Sequence, residues 1–145
     1  MRPIVYLEFI FFEWSVPETV IKQIYNKPYV IAEAGCNHKG EIDIAKNMII
    51  TASTFCNVDA IKFQKRNNNE LLTEVQYNSP HPNPIYSYGE TYGAHREFLE
   101  FTKEQHRQLK EWCDEYKITY ASSVWDLTSA KEISSPRCLM LRSRY

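Results

Sequence analysis

Apolar residues along the chain fall into two alternating patterns: short runs, and positions spaced three and four apart. Tyr29-Val30-Ile31-Ala32-Glu33-Ala34 is a short apolar run ending in a charged residue and Gly35. Such a run predicts a strand covered on both faces, as in a parallel sheet. After the glycine-containing loop from Gly35 to Gly40, apolar residues recur at Ile42, Ala45, Ile49, Ala52 and Cys56. That spacing lines one face of a helix, and Asn57 closes it. Val58-Asp59-Ala60-Ile61-Lys62-Phe63-Gln64 reads as a second strand, again ending in polar side chains. Strand, helix and strand make one βαβ unit, whose crossover is expected to be right-handed. Thr102-Lys103-Glu104-Gln105 is a capping-box pattern that starts another helix, with Leu109, Trp112, Cys113 and Tyr116 on its apolar face. Ile118-Thr119-Tyr120-Ala121-Ser122 is a third strand, and Asp126 or Thr128 caps a third helix running towards Ile133. This alternation predicts an α/β fold.

Three stretches do not share the rhythm. Residues 1–27 have no clear period and read as an irregular leader, although Glu18 to Tyr25 allows a short helix after Pro17. Residues 65–100 are polar, rich in tyrosine and broken by Pro80, Pro82 and Pro84. They predict a long loop, of a length that compact domains keep for function. In residues 134–145 the next strand falls due, but Pro136 interrupts and Arg137, Arg142 and Arg144 crowd the end. The organisation predicted is a leader over 1–27, an α/β body over 28–133, and an atypical tail over 134–145 that suggests a truncated or frame-shifted reading.

Charge and composition narrow the partners. Seventeen basic and 18 acidic residues give a formal net charge of −1, with no block of one sign. Nucleic acid and anionic membrane are therefore not expected as partners. The four cysteines, at 36, 56, 113 and 138, form no C-x-x-C pair. Free thiols in a reducing cytoplasm are the plain expectation, rather than a zinc cluster or a disulfide scaffold. The apolar stretch over residues 4–14 is interrupted by Glu8 and Glu13. It is too short to span a bilayer and lacks the layout of an export signal.

In parallel α/β folds, ligands gather at the carboxyl ends of the strands. Glu33, Asn37 and His38 stand there after the first strand, Lys62 and Gln64 at the second, and Ser122 and Ser123 at the third. An ammonium in an otherwise apolar strand needs a partner, which an anionic ligand would supply. A plain Glu33–Lys62 ion pair between neighbouring strands, holding no substrate, would serve equally. Gly35 and Gly40 have the separation of a P-loop, but Glu41 stands where its lysine is required, and no G-x-G-x-x-G is present. Nucleotide binding by either route is excluded. His38 suits a loop hydrogen bond better than a metal, having no second histidine at ligand spacing. His81 and His95 are scattered, and His106 falls at a solvent-facing helix position. The tyrosines at 77, 86, 88 and 92 either line a sugar pocket or pack the long loop; composition does not separate the two.

Ile31-Ala32-Glu33-Ala34-Gly35-Cys36-Asn37-His38-Lys39-Gly40 resembles the opening signature of the N-acetylneuraminate (sialic acid) synthases. Ala60-Ile61-Lys62-Phe63-Gln64-Lys65-Arg66 is similar to the second strand of that family. Tyr88-Gly89-Glu90-Thr91-Tyr92-Gly93-Ala94-His95-Arg96 resembles a loop of one large bacterial branch, and Ser122-Ser123-Val124-Trp125-Asp126 the end of the third strand. The four motifs lie in family order. The resemblance implies the N-terminal portion, about three βα units, of a TIM-type (β/α)8 barrel. It implies condensation of phosphoenolpyruvate with N-acetylmannosamine or a related acetamido sugar, with release of phosphate. A divalent metal, manganese or magnesium, and a homodimer are implied for the complete enzyme. By the same resemblance, Glu33 stands near the reacting centre and Lys62 anchors phosphoenolpyruvate. Gln64 lies near the sugar acceptor, Asn37 and His38 belong to the matched loop, and Ser123 lies near the phosphate.

Departures from the family are as definite. Its metal-binding histidines and a second lysine for phosphoenolpyruvate lie on later strands and have no counterpart here, and such a barrel needs about 250 residues. The isolated chain is therefore expected not to turn over. Two other readings use the same parts: a non-catalytic interaction module, and an aldolase on the same fold.

Overall fold

The computed structural model describes residues 28–134 and 139–142, the latter as backbone only. The expected leader over 1–27, with its possible helix, lies outside the described residues. Four strands, β1 (Ile31–Gly35), β2 (Ala60–Lys65), β3 (Thr119–Val124) and β4 (Leu139–Arg142), form one sheet in sequential order. All neighbours are parallel: Glu33 registers with Lys62, Gln64 with Ser123, and Ala121 with Leu139. The fourth strand corrects the reading of the tail as a break in the rhythm. Pro136 lies ahead of the strand and takes no ladder donor from it, while Leu139-Met140-Leu141 is an apolar run of the kind a parallel strand needs.

Three main helices return the chain between strands: α1 (Ile42–Ile50, continued by a π-helical turn over Thr51–Phe55), α5 (Lys103–Glu115) and α6 (Leu127–Ile133). They pack on one face of the sheet. Ala34, Ile61, Phe63, Tyr120 and Val124 point into that layer and meet Ala45, Ile49, Ala52, Leu109, Cys113 and Ile133 in one buried cluster. Each fully buried aliphatic or phenyl side chain stabilises the fold by roughly 1.5–3 kcal/mol relative to its exposed state. Because side chains alternate along a strand, Glu33, Lys62, Gln64, Ala121 and Ser123 belong to the opposite face.

The long segment between β2 and α5 is not a structureless loop. It folds into α2 (Asn68–Leu71), α3 (Glu74–Asn78), a 3-10 turn (Pro84–Tyr86) and α4 (Tyr92–Phe98). Each has a side-chain cap: Asn67 accepts from the Asn69 N–H, Thr73 from Gln76, Asn83 from Ile85 and Thr91 from Ala94. These caps satisfy amide groups that such short helices would otherwise leave bare. Gly93 lies directly against the Tyr77 ring, where a Cβ would collide. Tyr88 stacks on Phe98 with centroids 4.8 Å apart. Tyr77 and Tyr88 thus take part in packing this segment.

Candidate active site

Glu33, near the end of β1, and Lys62, opposite it on β2, form an ion pair of 2.5 Å on the sheet face opposite α1, α5 and α6. Lys62 is 24% exposed and Glu33 49% exposed, so the pair is reachable from solvent and contributes little to stability. The ion pair that the strand pattern allowed is formed, and an incoming anion would compete with Glu33 for the ammonium. β1 then turns at Gly35, whose φ of +52° lies in the left-handed region that glycine accepts most readily. The Gln64 amide nitrogen and the Glu33 carboxylate flank this glycine; a Cβ there would stand 3.4 Å from Gln64 Nε2 and 3.8 Å from Glu33 Oε1. Ser123, mostly buried, sits beside Gln64 in register on β3. Four of the residues singled out from the sequence thus share one patch at the strand ends.

Asn37 and His38 diverge from that patch. Asn37 is exposed, in a tight turn whose backbone N–H donates to Ala34. His38 is only 2% exposed and stacks on Phe101, with centroids 4.0 Å apart, on the helix side. Its Nδ1 accepts the Gly40 N–H, so the ring fixes the loop around Gly40. Burial, seconded by the Arg66 guanidinium, pushes its pKa down to about 4, against the pull of a backbone hydrogen bond with Gly35. His106 corrects the sequence reading: it is buried, not solvent-facing. It occupies the fourth position of α5, where it meets the residue before the cap, Phe101, edge to face, while its Nδ1 bonds the Tyr120 hydroxyl. This is the staple geometry that accompanies capping boxes.

Burial, with smaller contributions from Lys65 and His38, holds His106 down to about 3. Both rings are neutral in the folded chain, whereas in the unfolded chain each protonates below about 6.5. As pH falls from 6.5 towards 4, the unfolded state takes up protons that the folded state does not, and stability is lost. The unfolding free energy from urea titration should be about 4 kcal/mol lower at pH 5 than at pH 7, each histidine contributing about half. Replacing His106 with glutamine should flatten that slope; a slope unchanged by the substitution would contradict the assignment.

Three residues missed in the sequence support the patch from behind. Arg66 follows β2 and forms a buried ion pair with Glu100, Nε to Oε1 at 2.6 Å, both side chains 9% exposed. Its backbone N–H donates to the other carboxylate oxygen at 3.0 Å, and its Nη2 reaches Cys36 Sγ at 2.8 Å. Arg66 and Glu100 are 34 positions apart, so local patterning carries no sign of the pairing. Among the described residues, no group of three or more His, Cys, Asp or Glu side chains converges to hold a metal ion. The described residues thus do not fit the metal that the resemblance implies, and no step below is routed through one. No helix among them is long and apolar enough to cross a membrane.

The sequence model of the NeuB family matches residues 48–142. The chain belongs to the NeuB family. Over 102 residues it is 40% identical to the N-acetylneuraminate-9-phosphate synthase of Mus musculus, covering 68% of this chain and 27% of that protein. The Drosophila melanogaster protein of the same name is 34% identical over 117 residues, covering 78% of this chain and 30% of its own. Among solved structures, the N-acetylneuraminic acid (sialic acid) synthetase of Leptospira borgpetersenii serovar Hardjo-bovis, in complex with citrate, superposes with a TM-score of 0.57. It is 28% identical, over 74% of this chain and 33% of that one. The NeuB chain described here therefore spans under a third of the length of these relatives.

Proposed function

We propose that the full-length protein carrying this sequence condenses phosphoenolpyruvate with an N-acetylated amino sugar to give a nonulosonic acid and inorganic phosphate. The observation that carries this reading is the solvent-reachable Glu33–Lys62 pair, flanked by Gln64, at the strand ends of a NeuB-family sheet. In the reaction, C3 of phosphoenolpyruvate bonds to the sugar aldehyde carbon, water adds its oxygen at C2, and phosphate leaves. Lys62 meets the anionic end of phosphoenolpyruvate through charge-assisted hydrogen bonds. Glu33, released from Lys62, accepts hydroxyl hydrogens of the sugar next to the carbon that reacts. Gln64 and Ser123 supply neutral hydrogen bonds on the same face. The sheet is read as part of a (β/α)8 barrel, supported by its sequential parallel order and helices on a single face. A homodimer is the proposed assembly of the complete enzyme.

The relatives at 34–40% identity are named for a 9-phosphate product. Three carbons added ahead of C1 turn C6 of a hexosamine into C9, so a 6-phosphorylated N-acetylmannosamine joins the candidate acceptors. The test is to express the complete reading frame and follow phosphate release from phosphoenolpyruvate with N-acetylmannosamine, its 6-phosphate and the diacetamido sugar in turn, with manganese added. Sugar-dependent phosphate and a product heavier by a pyruvyl unit are expected with one of them. Absence of release with all three would leave the interaction-module reading.

A further inference from the structure

We propose that Glu100, Arg66 and Cys36 form a positioning relay that fixes which end of the Gln64 side-chain amide faces the candidate active site. The proposal deepens the reading of Gln64 as the acceptor-facing residue and rests on it for its functional meaning, though its geometry stands apart.

A glutamine side chain presents a donor at one end of its amide and an acceptor at the other, and half a turn about its last bond exchanges them. Sequence alone leaves that choice open. Here the buried Glu100 carboxylate holds Arg66 twice, accepting from Nε at 2.6 Å and from the backbone N–H at 3.0 Å. The guanidinium therefore has one direction, and Nη2 donates to Cys36 Sγ at 2.8 Å. The Cys36 thiol donates in turn to Gln64 Oε1 at 3.9 Å. With the amide oxygen engaged, Nε2 is left on the Gly35 side, the glycine that the Glu33 carboxylate also approaches. The patch thereby presents an amide donor and a carboxylate around Gly35, a combination suited to the oxygens of a sugar.

The protonation of the thiol agrees with this. Burial raises the Cys36 pKa above its ordinary value, opposed by Arg66, so at neutral pH the sulfur keeps the hydrogen it must donate. A buried ion pair contributes little net stability compared with apolar residues of the same volume. What the Arg66–Glu100 pair supplies here is direction.

The test uses the 145-residue chain and the Gln64 side-chain amide signals in its 15N–1H spectrum, assigned by Gln64→Leu. Cys36→Ala and Glu100→Gln should each move the Gln64 signals towards those of solvent-exposed glutamines, and Cys36→Ser, which restores a donor and an acceptor, should bring them back. If Glu100→Gln fails to fold, Cys36→Ala decides, because it removes only a sulfur at a half-buried loop position. Gln64 signals unmoved by Cys36→Ala, or moved and not rescued by serine, would overturn the relay. In the active full-length enzyme, Cys36→Ala should raise KM for the sugar roughly tenfold, the worth of one neutral hydrogen bond. KM for phosphoenolpyruvate should stay unchanged, and an equal rise in both would count against the relay. Lack of activity in the full-length protein would sink the proposed reaction, while the amide signals would still decide the relay.

Discussion

Replacing Lys62 with methionine should weaken phosphoenolpyruvate binding by the full-length protein at least roughly 30-fold, the low end for losing one partner of a charge-assisted pair. The same substitution should leave the urea midpoint of unfolding almost unchanged. The two expectations come from one geometry. Lys62 is 24% exposed and its partner Glu33 49% exposed, so in the free protein their attraction is screened by water. When a phosphate or carboxylate lies on the patch, water is displaced and the ammonium becomes the main counter-charge that the described part of this face offers. Methionine keeps the length and apolar stem of the side chain and removes only the charge. Arginine at 62 separates charge from shape: it should restore part of the affinity but not the activity, because the planar guanidinium does not reproduce a point charge. Isothermal titration with phosphoenolpyruvate checks both variants, and an affinity unaffected by methionine would remove Lys62 from the site.

Why Lys62 could be singled out at all is instructive. It stands between Ala60-Ile61 and Phe63 in the apolar part of its strand, and a charge there demands an explanation. The same logic located β1, β2 and β3, since short, mostly apolar runs bounded by turn residues and polar side chains have few alternatives to a strand. β4 escaped because Pro136 and three arginines dominate the composition of residues 134–145. The parallel pairing needs only the short apolar run after the proline. The helices between β2 and α5 escaped for the opposite reason. Their apolar periodicity is weak, and local caps at Asn67, Thr73, Asn83 and Thr91 form them instead. Thr73 and Gln76 in fact carry the same capping-box signal that revealed α5. Position within the site was harder to read than membership of the strand ends. His38 follows β1 as closely as Asn37 does, yet it turns into the core because the loop bends at Gly35 and Gly40, both with positive φ. The Arg66–Glu100 pair depends on a chain reversal through four short helical elements, information that exists only in three dimensions.

The largest effect on stability is expected at Phe101, a residue outside every strand and helix. Its ring is 2% exposed and stacks on His38, meets His106 edge to face, and closes the buried cluster above Phe63 and Leu109. Its carbonyl accepts from Lys65 at the end of β2. Phe101→Ala should cost about 3–5 kcal/mol, combining the lost transfer of the ring from water with the cavity it leaves. A domain of this size has only about 5–15 kcal/mol in all, so the variant should unfold at a far lower urea concentration. Phe101→Leu, which keeps most of the volume, should cost less than half as much. The substitution also tests how the core reaches the site. With its stacking partner gone, His38 loses its closest ring contact, and the loop from Gly35 to Gly40 loses one wall. Amide exchange in that loop should then rise more than exchange in β3, which keeps its ladder on both sides. Equal acceleration across the sheet and the loop would mean that Phe101 supports the fold as a whole and that its contact with His38 adds no local control.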